Sequence, residues 1–490
     1  MEKLAPEIIS AVISYLTFVE PDDFLDVLSP PCPPPLAQYA TISRRWQSHI
    51  EQKTFRSLVL TPRRLVQAEV HDFLSPIRLS YLRELEFNFV FPRHDVVSTH
   101  DEDWDDQAVF LRTVKQLFSF LHQIPLGKEP WVKLDLSIPV PRKFGDFSGH
   151  PHDYRQPFDA VKVAWGAICI TYFDFSPDWE ADLPELPMIS ALNVTQDSHS
   201  LVFAPRSLCL MTSKMTRLKT ADFSLGDIET LDLDLRIQQR NGLANALEKL
   251  PASLTSLDLR YEREMPRDHS FQPPSLIPSN FKGDSLSLAL HQFMQRDGLE
   301  DLTVAACIDS TMLWPEPESA SEQPLFPTLK VMLLSPHGIL PSGQWLGIKS
   351  PQRGLPPDVP LHHDNDISGQ GFCRQFRDYP DYALMDRFFL NAGRCMSRMP
   401  KVESIGILFN QPLEAMASLD FYTNVPEGPC LIMAKRAEHK PSEETLEAWR
   451  EAARVHKKDF WLRYVKEAQA GMYYPLEDQP LSLETDMILQ

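Results

Sequence analysis

Three stretches of the chain gather side chains able to hold a metal or move a proton. His150-Pro151-His152-Asp153 and His362-His363-Asp364 set imidazoles beside carboxylates, and Asp101-Glu102-Asp103-Trp104-Asp105-Asp106 is a dense acidic run. Zinc and non-haem iron need three or four ligands at defined separations, and neither His cluster has a partner at such a spacing. Both read as solvated loop residues. The acidic run lacks the ligand spacing of an EF-hand and precedes a helical pattern whose positive end it would stabilise. No Ser/His/Asp set is marked by a local motif, although such triads assemble in space and not in sequence. GxGxxG, GxxxxGKS/T and GxSxG are all absent. The expectation is a non-catalytic chain with no catalytic residue, no metal site and no cofactor.

The composition agrees with that expectation. The 490 residues carry 48 Lys+Arg against 67 Asp+Glu, a formal charge of -19. That balance argues against nucleic-acid binding, which needs a basic surface. No run approaches the length of a membrane span, and the acidic N-terminus does not resemble a signal peptide. Seven scattered cysteines without a CxxC point to free buried thiols in a reducing compartment, so cytoplasm or nucleus is expected. The 43 prolines against 18 glycines reverse the usual proportion of about 5% to 7% and suggest a segmented chain without phosphate loops.

From Pro6 to Phe18 the polar residues Glu7, Ser10, Ser14 and Thr17 form one narrow helical stripe. The residues between them are apolar over an arc much wider than the roughly 100° that packing on one core requires. Two placements satisfy this: a helix between its own domain and a partner, or a helix buried on both sides within the chain. A Pro-rich insert, Ser29-Pro30-Pro31-Cys32-Pro33-Pro34-Pro35, follows and must be non-helical. After it come Ile42-Ser43-Arg44-Arg45-Trp46, Phe55 and Leu58-Val59-Leu60.

The order Leu4-x-Pro6-Glu7-Ile8-Ile9, Ile13-x-x-Leu16, Ile42-Ser43-Arg44-Arg45-Trp46 and Phe55-x-x-Leu58-x-Leu60 resembles the F-box. It departs from the usual form in the Ala5 that splits the Leu-Pro pair and in the Pro-rich insert between helices. The resemblance implies a small all-α module over 1–60 that docks on a Skp-type adaptor of a cullin ubiquitin ligase. By position Leu4, Pro6, Ile8, Ile9, Val12 and Ile13 would make that contact, with Trp46 as an anchor inside the module.

Beyond residue 79 a short pattern recurs: apolar, two residues, apolar, one residue, apolar. It occurs at Leu82/Leu85/Phe87, Trp131/Leu134/Leu136, Ile189/Leu192/Val194, Leu218/Ala221/Phe223, Leu254/Leu257/Leu259, Leu299/Leu302/Val304, Leu329/Met332/Leu334 and Val402/Ile405/Ile407. Each ends in the alternation of a strand with one buried face. Helical patterns at 108–124, 243–250, 286–294 and 382–396 lie between several of them. Strand, turn, helix and return to strand is the logic of an α/β solenoid. Residues 61–410 therefore resemble a divergent leucine-rich-repeat array. The consensus unit is about 20–29 residues, whereas units here recur at roughly 29 to more than 70. An irregular α/β domain without true repeats is the alternative.

Insertions rich in Pro, Gly, Ser and charge occupy 137–158, 262–284, 315–327 and 335–371, and are expected to be loops that contact a partner. Two strands around Val425-Pro426-Glu427-Gly428-Pro429 and a helix opening at Ser442 are expected to cap the array over 411–490. The expected fold class is thus α/β: a small all-α F-box, an irregular leucine-rich-repeat-like solenoid and a hairpin-helix cap. The expected role is substrate recognition for a cullin-type ubiquitin ligase, through a Skp-type adaptor and an unknown target protein, without nucleic acid or membrane. A binding scaffold unlinked to ubiquitylation, or an enzyme in an irregular α/β domain, are the alternatives.

Overall fold

The structure is a computed structural model and describes residues 5–16, 36–90, 106–138, 171–175, 182–196, 201–227, 232–266, 268–315, 324–349, 359–360, 372–373, 376–377, 379–409, 417–423, 430–434 and 441–465. It is a mixed α/β fold built on one open sheet of twelve strands, most of them parallel. These are β1 (Ser57–Leu60), β2 (Glu84–Asn88), β3 (Val132–Ile138), β4 (Ile189–Gln196), β5 (Thr220–Asp227), β6 (Ser256–Arg263), β7 (Asp301–Ala306) and β8 (Val331–Pro336). They continue as β9 (Ser404–Phe409), β10 (Ala417–Tyr422), β11 (Cys430–Ala434) and β12 (Trp461–Val465). Each strand lies beside its predecessor in sequence. β1 to β9 are parallel, β9–β10 and β10–β11 are antiparallel, and β11–β12 is parallel again.

Parallel neighbours need a crossover, and helices supply most of them. Two helices precede the sheet, α1 (Pro6–Leu16) and α2 (Arg44–Thr54). α3 (Pro62–Val70) and α4 (Pro76–Tyr81) follow β1, and α5 (Asp106–Leu121) follows β2. α6 (Pro205–Ser213), α7 (Leu233–Ala246) and α8 (Ser285–Met294) follow β4, β5 and β6. α9 (Tyr382–Met396) follows β8, and α10 (Glu443–Val455) follows β11.

All eight recurrences of the motif end on strands of this sheet, β2 to β9. Their last two apolar residues, such as Leu85 and Phe87 or Leu257 and Leu259, are buried in one continuous core. Phe110 and Leu117 of α5, Leu208 of α6, Leu290 of α8, Phe389 of α9 and Trp449 of α10 belong to it. The sheet also crosses both expected boundaries. β1 comes from the segment expected to be helical, and the two strands expected around residues 425–429 are β10 and β11, an antiparallel pair that continues the same sheet.

The expected helices at 286–294 and 382–396 lie within one residue of α8 and α9. The expected helix at 243–250 is corrected. The helix is α7, which begins ten residues earlier at Leu233 and gives way to a 3-10 turn over Leu247–Lys249. Its inward face carries Arg236, Gln239 and Arg240 ahead of Leu243 and Ala244, all buried, so the apolar period vanishes from the first half.

Two of the expected partner-binding loops are instead tied to each other. Leu276 N donates to Pro341 O (2.7 Å), Gln272 Nε2 to Gly343 O (2.8 Å) and Trp345 Nε1 to Phe271 O (3.1 Å). The buried His269 accepts the backbone N–H groups of Phe376 and Arg377 at Nδ1, both at 2.9 Å. Gly343 allows this approach: its φ is 82°, and a Cβ there would lie 2.2 Å from Pro273 O. Most of 137–158, and both His clusters, lie outside the described residues, as does Asp101–Asp105.

Candidate functional site

The first surface is at the N-terminus. Ile9 and Ile13 of α1 pack on Trp46 and Ile50 of α2 in a small core of their own, with Leu36, Tyr39 and Ala40 against it. Ser43 caps α2, its hydroxyl accepting the N–H of Trp46 at 3.4 Å. Arg78 of α4 joins this module to the sheet by bonding Glu51 (2.7 Å) and lying over the Phe55 ring (4.9 Å). The Arg78 hydrogen bond holds the Glu51 carboxyl below the usual range.

The six residues expected to dock a partner therefore divide. Ile9 and Ile13 are 0% and 2% exposed and face the module's own core. Ile8 and Val12, at 50% and 38%, face solvent. Pro6 is exposed beside them, and Leu4 lies outside the described residues. Trp46 is buried, the place expected of an anchor.

The second surface is the face of the sheet away from the helices, which the described residues leave open. Along each strand the residues between the core positions point away from the helices, and in β2 to β8 they are exposed or half-exposed. The strand register aligns one such residue per strand into a row: Val59, Glu86, Asp135, Asn193, Asp222, Asp258, Thr303, Leu333, Gly406 and Asp420. From Glu86 to Gly406 these are the single residues between the last two apolar positions of the motif. The sequence pattern thus held the row, but the chemistry of that position went unread.

The row is acidic over β2 to β6. Glu84, Asp301 and Glu262 flank it on the same face, against the cations Lys133 and Arg260. Each cation bridges to a carboxylate two residues along its own strand, Lys133 to Asp135 (3.3 Å) and Arg260 to Asp258 (3.2 Å). Neighbouring strands are about 4.8 Å apart, so Asp222 and Asp258 face each other as like charges. Burial, and then the charge of Asp258, raise the Asp222 carboxyl above its usual value. Oδ1 of Asp258 is sheltered and has no hydrogen-bond partner, whereas the sheltered Oδ1 of Asp135 is the oxygen that Lys133 bridges. At β8–β10 the face changes: Leu333 is 42% exposed, Gly406 is buried between Leu333 and Asp420, and burial pushes Asp420 up to about 6. A Cβ on Gly406 would meet Leu333 Cδ1 at 2.9 Å and Asp420 Oδ1 at 3.1 Å.

A third cluster lies at the C-terminal ends of β5 to β8. Asp227 closes β5 and makes paired hydrogen bonds to Arg236 of α7 (2.7 and 2.8 Å). Arg240, one turn on, is bound in the same way by Asp284, the N-cap of α8 (2.7 and 2.6 Å). Tyr261, Cys307 and His337 are buried around them. Burial drives the Cys307 thiol up to about 11 and the His337 imidazole down to about 4, so at neutral pH neither carries charge. A catalytic dyad needs an exposed, poised group. Here the charges are spent on each other, and the cluster joins successive crossovers.

No protein-family model matches the chain, and no curated protein is significantly similar to it. Among the described residues no helix is long and apolar enough to cross a membrane.

Proposed function

We propose that this chain is a substrate receptor of a cullin-type ubiquitin ligase. In this reading the N-terminal module is an F-box that docks on a Skp-type adaptor, and the sheet is a leucine-rich-repeat-like solenoid whose open face receives the target. The transfer chemistry belongs to other subunits, so the chain needs no catalytic residue or cofactor.

One observation carries the adaptor half of the reading. α1 has two apolar faces and its own module covers only one: Ile9 and Ile13 are packed away, while Ile8 and Val12, four residues apart on one side of the helix, face water. A module whose core is four side chains gains stability from a partner that covers such a face. The open face supports the target half. The scaffold reading gives the open face the same use but leaves the α1 face without one.

Purified full-length chain mixed with a Skp-type adaptor tests the reading. The wild type should form a stable complex. Ile8→Asp/Val12→Asp should weaken it about 100-fold, because two charges enter an apolar contact. Its melting midpoint should hold, since both side chains are already exposed. Ile9→Asp would not discriminate, because it breaks the module's own core. A wild type that does not bind, or a double variant that binds equally well, refutes the F-box reading.

A further inference from the structure

We propose that the open face of the sheet takes one kind of occupant: an extended, basic polypeptide segment laid across the strands, with cations over β3 to β6 and an apolar residue at Leu333. The inference rests on the reading of this face as the target surface and adds the chemistry of the target.

Charge selects the occupant. Among the described residues Glu84, Glu86, Asp135, Asp222, Asp258, Glu262 and Asp301 share the face with Lys133 and Arg260; both cations bridge to carboxylates of their own strands and act on Asp222 less than burial and Asp258 do. Like charges in register across adjacent strands destabilise a sheet. The chain nevertheless places Asp222 against Asp258, and Asp222 has no hydrogen-bonding partner among the described residues. A cation arriving from outside would relieve that repulsion. It would also supply a donor to the sheltered Oδ1 of Asp258, which lacks one.

The other occupants fit poorly. Nucleic acid is repelled. A second copy brings the same acidic face and a formal charge of -19. The chain's own segment 466–490 has Lys466 against Glu467, Glu477, Asp478, Glu484 and Asp486.

Geometry adds a pattern. The row crosses one strand about every 4.8 Å, and an extended chain advances about 3.3 Å per residue. From Asp135 on β3 to Leu333 on β8 is therefore about seven residues of an extended peptide. From Asp258 to Leu333 is about three. Gly406 is buried between Leu333 and Asp420, whose side chains stand close over it, so an apolar residue of the ligand would rest on the exposed Leu333 itself. Asp420, which has no partner among the described residues, can take one further cation. The expected ligand is a Lys/Arg-rich stretch followed, about three residues on, by a leucine-like residue.

The test uses full-length chain and a fluorescein-labelled decapeptide, rich in lysine and arginine and ending in leucine, read by anisotropy at two salt concentrations. Wild type should bind it, more weakly in high salt, and should ignore the same peptide with glutamates in place of its cations. Asp222→Asn/Asp258→Asn should lose about tenfold, the size of two exposed ion pairs, with an unchanged or higher melting midpoint because repulsion is removed. Glu69→Gln/Asp297→Asn, which removes the same charge from exposed sites elsewhere, should change affinity less than about twofold. Leu333→Asn should weaken binding in a salt-independent way.

No binding by the wild type overturns the inference, as does equal loss in the control variant, which would leave only general attraction to an acidic protein. Adaptor binding in the same preparations separates the two readings. An adaptor complex without peptide binding removes this inference alone, and peptide binding without an adaptor complex removes the ligase reading alone.

Discussion

Arg240→Ala should cost the fold about 3–5 kcal/mol, measured by urea unfolding at neutral pH, because it leaves a buried carboxylate without its counter-charge. Arg240 and Asp284 have side chains only 2% and 1% exposed. The guanidinium meets both carboxylate oxygens and also donates to Cys307 O. Asp284 Oδ2 further accepts the N–H (2.8 Å) and hydroxyl (2.7 Å) of Ser287, so the same carboxylate starts α8. Burial acts to raise the Asp284 carboxyl, but the charge and hydrogen bonds of Arg240, with those of Ser287, outweigh it and hold it below the usual range.

A carboxyl depressed in the folded state stabilises the fold above its unfolded value, near 4. That contribution disappears as pH falls through the folded value. The cost of the single substitution should therefore shrink in acid. Taking both charges out of water is expensive, and Arg240 Nη1 has no hydrogen-bond partner. Replacing the pair together, Arg240→Met with Asp284→Leu, should accordingly recover most of the loss. A single-variant cost below about 1 kcal/mol would mean that the pair behaves as a solvated surface bridge.

Trp449→Ala should cost a similar amount, about 3–5 kcal/mol, the range for emptying a buried aromatic site. Trp449 of α10 is fully buried, packs on Phe421 of β10 with ring centroids 5.2 Å apart, and donates from Nε1 to Phe389 O of α9 at 2.9 Å. The two helices touch closely at Gly393, where a Cβ would lie 3.1 to 3.2 Å from Ala448 and Trp449. The substitution thus loosens α10 from α9 and β10 at one end of the sheet. Hydrogen exchange should rise first in β10 to β12 and α10, before β5 to β8, because strands in chain order touch only their neighbours. Equal acceleration at both ends would show a sheet that opens as one unit.

How far the residues disclosed this fold depended on whether function agreed with packing. The core of β2 to β9 is legible because the last two apolar residues of every motif are buried, and the motif is a direct image of the strand with its preceding turn. α9 is legible for the same reason, with Met385, Phe388, Phe389 and Ala392 on a clean stripe. The first half of α7 is not, since Arg236, Gln239 and Arg240 stand where apolar residues would have shown the period. Their partners, Asp227 and Asp284, are 9 and 44 residues away, a pairing no local pattern reveals.

α1 was legible as a helix with too much apolar surface, but not in which half its own module covers. That depends on how Trp46 and Ile50 return beneath Ile9 and Ile13 after the Pro-rich insert. The acidic row was hidden in a different way. Each of its members is one unremarkable polar residue inside a strand motif, and only the parallel register brings Glu86, Asp135, Asp222 and Asp258 side by side. The long insertions at 262–284 and 335–371 drew attention by length, yet their described parts bind each other through His269, Trp345 and Gly343. In the proposed reading partner contact falls on the face that the strands leave open.

In the proposed reading one chain bridges two partners through two separate surfaces. Quantitative mass spectrometry of proteins co-purifying with tagged wild type, Ile8→Asp/Val12→Asp and Asp222→Asn/Asp258→Asn in cells tests it most directly. The α1 variant should lose adaptor and cullin while keeping other partners, whose abundance should rise. The sheet-face variant should keep adaptor and cullin and lose basic partners. Adaptor and cullin absent from the wild type, or retained by a folded α1 variant, would contradict it.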